Sequence, residues 1–338
     1  MKRIFAVIVS LCIVGQVFAQ DIHFSQFYNS PLTLNPALTG KMNGAYRVGA
    51  IYRNQWFQSS PTGTPFVTYS GSFDAPIRFK NDALGIGLVA YQDNAGEDVL
   101  KTLNIMGSIA YHKALGKSGK HSLSLGTQLG FLQKKLDDGS IITENQHQGT
   151  LYNPNLPTGE NLDGSKGLFD MNIGLMWNSM IGKRSAIYAG GSMFHVLAPE
   201  NNFVQNVKFN LPRRFVANAG ADVGITEKFS LLPSLIFQYQ DKAKELNAGL
   251  ALAYAFNQSF TWYLGGYYRF PETAPIAYTA FEFKGFRLGV SYDVPMADVK
   301  ELRPINGSRP GSIEVSLLFV GKPKDLPNPS SLLFCPRF

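Results

Sequence analysis

Between Tyr46 and Val320 one pattern recurs roughly fourteen times: a segment of about ten residues in which bulky apolar side chains alternate with small or polar ones. An alternation of period two describes a strand with one apolar face. Its length is that of a strand tilted across the hydrocarbon core of a membrane. The interval after His121 is representative. Leu123, Leu125, Thr127, Leu129 and Phe131 are mostly bulky, whereas Ser122, Ser124, Gly126, Gln128 and Gly130 are small or polar. Phe169, Met171, Ile173, Leu175 and Trp177 repeat the pattern against Asp170, Asn172, Gly174 and Asn178. Soluble β-sandwiches alternate too, so membrane insertion needs independent support.

The amino terminus supplies it. Lys2 and Arg3 precede an apolar run from Ile4 to Val17, and Val17-Phe18-Ala19 is a small-residue cleavage site before Gln20. These are the parts of a secretory signal peptide, expected to span 1–19 and to be cleaved near Ala19/Gln20. Cys12 lies inside that run, and cleavage directly before it would leave the apolar region too short for a lipoprotein signal. Cys335 is then the only remaining cysteine, so an intramolecular disulfide framework is excluded. After residue 20 no apolar stretch is long enough for a helical span. Charged residues make up 16% of the chain and aromatics 13%, with 33 glycines. Low charge with many aromatics suits a wall that faces lipid and carries aromatic girdles.

The lengths of the connections separate barrel from sandwich. Strands are expected at 45–54, 64–74, 83–92, 99–112, 121–135, 167–179, 184–195, 212–224, 228–240, 244–257, 259–270, 275–283, 285–293 and 311–320. With both termini periplasmic, the odd connections face outward. They include all the longest: Gln55–Gly63, Leu136–Lys166, Leu197–Leu211 and Val294–Pro310. The even ones are short or medium. That sorting is the habit of outer-membrane barrels. The expected fold is all-β, a transmembrane antiparallel β-barrel of about 14 strands over 45–320. A periplasmic amino-terminal segment over 20–44 and a carboxy-terminal tail over 321–338 form ordered extensions, the former packing into the periplasmic mouth or the lumen.

Arg47, Arg53, Asp74, Asp170, Arg214, Asp222, Arg269, Arg287, Asp293 and Glu314 all fall opposite the apolar stripe, hence toward the lumen. There they pair with one another, or line an ion-selective channel. The formal charge of +7 is unevenly distributed. Lys113, Lys117, Lys120, Lys183 and Arg184 sit with other basic residues on the expected periplasmic turns, whereas the long loops carry Asp137, Asp138, Glu144, Glu160, Asp163, Glu200 and Asp298. A basic rim of this kind either aids insertion beside lipid head groups or docks an acidic periplasmic partner. Nucleic-acid binding is a poor account of basic charge on an exported chain.

Chemistry of catalysis is not legible. The five histidines form no H-E-x-x-H or Cys/His cluster, and no G-x-S-x-G elbow or phosphate loop occurs in context, so no cofactor, metal site or enzymatic activity is expected. His195 with Ser192, or His147 in the longest loop, could serve a barrel-embedded enzyme, but a lone polar histidine is the more ordinary reading. The acidic loop 136–166 lacks calcium-loop spacing.

Distinctive motifs lie at the ends of the chain and on its first strands. Phe24-Ser25-Gln26-Phe27-Tyr28 and Asn35-Pro36-Ala37-Leu38-Thr39-Gly40 precede the first strand. Tyr52-Arg53-Asn54-Gln55-Trp56, Pro65-Phe66-Val67-Thr68-Tyr69-Ser70, Ser72-Phe73-Asp74 and Gly311-Ser312-Ile313-Glu314-Val315-Ser316-Leu317 follow, and the chain closes on Cys335-Pro336-Arg337-Phe338. In their order and number these motifs resemble the PorP/SprF family of Bacteroidetes outer-membrane proteins over essentially the whole mature chain, the region 93–285 by pattern rather than by motif. The resemblance implies a non-enzymatic barrel in the cell outer membrane, associated with type IX secretion. Its partners would be outer-membrane lipid, periplasmic ring lipoproteins or motor-linked parts, and a secreted cell-surface adhesin of the gliding type with a C-terminal sorting domain. A passive porin or hydrophobic-solute channel is the alternative.

Overall fold

The computed structural model describes residues 21–57, 65–79, 82–96, 99–116, 120–136, 144–148, 151–153, 155–156, 165–182, 184–201, 209–271, 274–294 and 311–321. Fourteen strands close into one antiparallel barrel. They are β1 (Tyr46–Gln55), β2 (Phe66–Arg78), β3 (Asp82–Ala95), β4 (Leu100–Leu115), β5 (His121–Leu136), β8 (Ser165–Ile181), β9 (Ser185–Phe194), β10 (Arg214–Gly224), β11 (Phe229–Gln240), β12 (Ala243–Ala255), β13 (Phe260–Phe270), β14 (Ala274–Phe283), β15 (Phe286–Asp293) and β16 (Ser312–Gly321). A small hairpin of β6 (His147–Gln148) and β7 (Leu151–Tyr152) stands in the longest loop. Closure is between first and last strands, with Tyr46 opposite Gly321 and Gln55 opposite Ser312.

The alternation reads directly onto the wall. Leu125, Leu129, Phe131, Phe169 and Leu175 are exposed on the outer face, while Ser122, Ser124, Gln128, Asp170 and Asn178 are buried inside. Near the short turns the outer face carries a run of ring contacts through Tyr254, Phe256, Phe260 and Phe281, and another through Phe286, Phe319, Tyr46 and Phe73. Phe131, Phe169 and Phe215 stand exposed toward the other end. Aromatic girdles at both interfaces bound an apolar band of this sort. The two-residue turn Lys284-Gly285 has positive φ at both residues (50° and 87°), the twist that such a hairpin requires.

The core lies in the lumen, which residues 21–44 fill. This plug contains a single turn of 3-10 helix at Phe27–Asn29, the four-residue helix α1 (Pro31–Leu34) and a second 3-10 turn at Pro36–Leu38. Prolines at the starts of α1 and the last turn supply preset φ where no N–H is needed. The Asn35 side chain accepts from Ala37 N at 2.9 Å and opens the last turn. Contacts give the direction of the segment. Ser25 and Gln26 meet Glu314 at the long-loop end of β16, whereas Gly40 and Gly44 meet Asp74 and Arg78 at the short-turn end of β2. The plug therefore traverses the barrel and leads straight into β1. The sequence left open whether 20–44 sits at the periplasmic mouth or in the lumen. The structure places its described residues in the lumen and carries Asp21 to the long-loop side, so the segment is not an extension beyond the short-turn rim. The tail 322–338, including Cys335, Pro336, Arg337 and Phe338, lies outside the described residues.

Candidate functional site: a plug and its seat

The inner wall has two chemistries. On β10–β14 it is apolar and aromatic: Val216, Leu232, Ile236, Ala251, Tyr263, Tyr267, Ile276 and Tyr278 pack with Phe27, Tyr28, Leu34 and Leu38 of the plug in one buried cluster. Tyr28 meets Tyr267 and Tyr278 with ring centroids 5.6 and 5.2 Å apart. On β3–β5, β8 and β9 the wall mixes polar side chains and glycines with apolar ones such as Val89, Met106 and Met176. A Cβ at Gly85 would overlap the Thr39 carbonyl, one at Gly126 the Pro36 carbonyl, and one at Gly174 the Asn35 side chain. Glycine inside a strand marks a place where another backbone comes close, and here the plug is that backbone. Gly85 lies against the Thr39 backbone, whereas Gly87 lies first against Asp74 and Phe73 of β2 and then against the Thr39 side chain.

Three polar clusters hold the plug. Around Ser25, one hydroxyl uses its full capacity: it donates to Asp293 at 2.6 Å and accepts from Arg53 and Arg269, both at 2.6 Å. Arg53 also reaches Glu314 at 3.0 Å and Asp293 at 3.2 Å. Glu314 accepts in turn from the backbone N–H groups of Ser25 and Gln26, at 2.9 and 2.7 Å. Gln26 and Asn29 continue this cluster to Ser291 and Ser316. Around Asp21, at the long-loop mouth, His195 bonds Asp170 through Nδ1 and Asp21 through Nε2, the latter at 2.6 Å. Arg214 lies 3.5 Å from the same Asp21 oxygen. Burial alone would lower the His195 pKa, but Asp21 and Asp170 lift it to about 9. Burial likewise works against the Asp21 charge, yet His195 and Arg214 hold the carboxyl well below the usual carboxylate range. At the short-turn end, Arg47 forms a fork with Asp74 at 2.9 and 2.6 Å, and Asp74 accepts from Gly40 N. Lys41 is buried there and donates to Ser122 and Ser124.

All ten luminal charges read from the alternation are buried. Arg53, Arg269, Asp293 and Glu314 belong to the Ser25 cluster, Asp170 and Arg214 to the Asp21 cluster, and Arg47 and Asp74 to the third. Arg287 pairs with Glu282 at 2.7 Å, and Asp222 has its own interactions. Motifs far apart in sequence thus become one interface. Ser25, Gln26 and Gly40 of the plug meet Arg53, Asp74 and Glu314 of the wall. Phe24, Phe27, Tyr28, Pro36, Ala37 and Leu38 are buried around them. Other motif residues lie elsewhere: Tyr52 packs on Tyr69, Trp56 on Phe66, and Phe73 faces outward beside Tyr46. Asn54 is buried, and Gln55 ends β1 opposite Phe66 and Ser312.

The basic rim is partly neutralised. Lys113 bonds Asp82 at 2.8 Å and Arg184 bonds Glu227 at 2.6 Å. Lys120 is exposed, and Lys117 and Lys183 lie outside the described residues. The pairing imagined for an enzyme does not form: Ser192 donates to the Leu34 carbonyl, while His195 is taken by two aspartates. Sequence reasoning missed the glycine seats and Lys41. Glycines recurring at inward positions of successive strands were the available signal.

Among the described residues, small voids lie between plug and wall by Asp21 and by Asn104, each about large enough for a single water. A larger apolar hollow of about 510 Å³ lies on the wall itself, where Gly191 and Ala217 sit between Leu175 and Phe237.

Among solved structures the fold is similar to a mutant of the TodX monoaromatic hydrocarbon channel, with a TM-score of 0.54, 9% identity, and coverage of 86% of this chain and 93% of that one. It is also similar to the toluene transporter TodX of Pseudomonas putida, with a TM-score of 0.51, 11% identity, and coverage of 90% and 98%. These likenesses concern the fold. No curated protein matches the sequence. The model of the family "Type IX secretion system membrane protein PorP/SprF" matches residues 16–319, nearly all of the chain with its plug and its barrel, and the protein belongs to that family.

Proposed function

We propose that this protein is a non-enzymatic outer-membrane component of type IX secretion that works as a sealed scaffold. In this reading its long loops hold a secreted cargo, such as a gliding adhesin, during export or anchoring, and its short-turn rim meets periplasmic ring components. The observation that carries this is the filled lumen. A barrel whose interior is occupied from one mouth to the other by its own amino-terminal segment, held through buried charges, is suited to binding at its faces rather than to passing solute. Residues 1–19 act as the signal peptide, and cleavage near Gln20 frees the end that sits by Asp21. Sidedness follows the usual placement of long loops outside and short turns in the periplasm. On the rim, Lys120, Lys228 and Lys284, exposed on three separate turns, offer positive charge to an acidic partner, whereas Lys113 and Arg184 are engaged locally.

Deletion of the gene should abolish surface display of one or more type IX cargo proteins, and a tagged barrel in mild detergent should retain a ring lipoprotein or an adhesin. Unchanged cargo display would overturn the reading. The hydrophobic-solute channel stays as a second reading because the similar folds include hydrocarbon channels. Reproducible conductance or solute uptake by the intact protein would favour it.

A further inference from the structure

The outer face of the wall carries a trough between β8 and β11. In two successive rows its floor is made of the smallest residues, with Gly191 opposite Ala217 and Ala189 opposite Ala219. β8 walls it on one side with Leu175 and Trp177, and β11 on the other with Leu235 and Phe237. The upper part of this trough is the apolar hollow of about 510 Å³, and Met193 and Phe215 form its top row. A hollow at this depth faces hydrocarbon, where an apolar chain fills it without stranding a polar group.

Directly above the hollow the wall turns basic. Phe215, Tyr239 and Lys244 form one row across β10, β11 and β12, and Lys244 Nζ rests 6.0 Å from the centre of the exposed Tyr239 ring. Arg213, just before β10, shares the outward face of Phe215, while Arg214 between them is buried. Aromatic rings topped by cations mark the level where acyl chains give way to head groups. Both cations are exposed. Arg213 donates through Nε to the Val196 carbonyl at 3.1 Å, which leaves the rest of its guanidinium fork available. Among the described residues no carboxylate bonds Arg213 or Lys244. Glu245 faces His23 and Arg269 in the lumen, Glu200 is engaged elsewhere, and Asp241 shares its tight turn with Lys242. The connection before β10, residues 202–208, contributes Lys208 and no carboxylate.

We propose that this trough binds one anionic lipid of the surface leaflet, its phosphate held by Arg213 and Lys244 and its acyl chain running past Phe215 into the hollow. The two halves call for the same ligand. A free phosphate has no use for the hollow, and an uncharged chain has none for the two cations. Arg213 offers a fork to phosphate oxygens and Lys244 a point charge, from either side of the Phe215–Tyr239 pair. The site requires the long-loop side to face the surface and is independent of any role in secretion.

The test uses the purified full-length barrel in a nonionic detergent, titrated with phosphatidylglycerol or with phosphatidylcholine of the same chains. Native mass spectrometry reads the lipid retained. One phosphatidylglycerol should stay bound, with about tenfold preference over phosphatidylcholine. Arg213→Gln/Lys244→Gln should abolish that preference, whereas Lys120→Gln/Lys228→Gln at the opposite rim should leave it intact. Gly191→Leu raises the floor of the hollow at a point where an added Cβ meets only the Val216 carbonyl, at 3.7 Å. It should weaken retention of both lipids while the barrel keeps its heat-modifiable gel migration. Should that variant not fold, Ala217→Leu fills the same space from the neighbouring strand. Equal retention of the two lipids by the native barrel would overturn the proposal, as would a preference that survives the double variant. Displacement of phosphatidylglycerol by an equal concentration of inorganic phosphate would reveal a bare anion site with the hollow unused, which also contradicts it. Barrel dimers that Gly191→Leu disperses would assign the hollow to a second copy instead, again against the proposal. Unchanged cargo display on gene deletion would remove the secretion reading and leave the lipid site standing.

Discussion

At the scale of the residue, the plug depends on a few buried polar groups and on the glycines it rests against. Arg53 neutralises both Glu314 and Asp293 in a site without bulk water. Arg53→Ala should destabilise the barrel by about 3–5 kcal/mol, because it strands the buried Glu314 carboxylate, while Asp293 keeps Arg269 at 3.0 Å. Arg53→Met with Glu314→Met should recover part of that loss. Unfolding in urea, followed by the gel-mobility shift of folded barrels, reads both. The glycine seats act through volume instead. Gly85→Val places a side chain where the Thr39 carbonyl lies, whereas Gly71 has nothing within 4 Å of an added Cβ. Gly85→Val should therefore displace the end of the plug and expose Lys41 to trypsin, and Gly71→Ala should leave the digest unchanged. On the outer face Leu125 is 63% exposed. Leu125→Arg should cost about 2–4 kcal/mol from lipid contact alone.

At the scale of the element, the plug has a latch at its Asp21 end. His195 has its pKa raised by Asp21 and Asp170, so its stabilising charge is fully present below the unfolded value and is lost as pH rises through about 9. Asp21 has its pKa lowered, so its contribution is present above the unfolded carboxylate value and is lost in acid. The latch should hold between these limits. Hydrogen exchange or proteolysis at residues 21–26 should rise above pH 9 and again in strong acid, while the Arg47–Asp74 end stays protected. His195→Gln should remove the alkaline transition. Equal loosening of both ends would show that no separate latch exists.

At the scale of the whole molecule, the filled lumen makes a definite statement about transport. The intact protein should give no steady conductance in planar bilayers, and deletion of residues 21–42 should open one. The deletion barrel retains the wall charges, now solvated, so its pore should be polar and ion-conducting. A conducting intact barrel would mean that the plug moves aside unaided.

Much of the architecture could be read in the chain. The alternation told inside from outside at each strand, because period two and a two-faced wall are the same fact. The loop lengths ordered the connections for the same local reason. Even the luminal charges were correctly assigned to a face. What local pattern could not carry was company. Nothing in Phe24–Tyr28 or Asn35–Gly40 names Glu314 or Gly85, which lie hundreds or tens of residues away and meet them only when the barrel closes. A plug segment has no period, since irregular backbone packed on all sides obeys only its surroundings. The chain by itself determined a membrane barrel with a polar interior. Closure of that barrel decided that its own amino-terminal segment fills the interior and which charges neutralise one another.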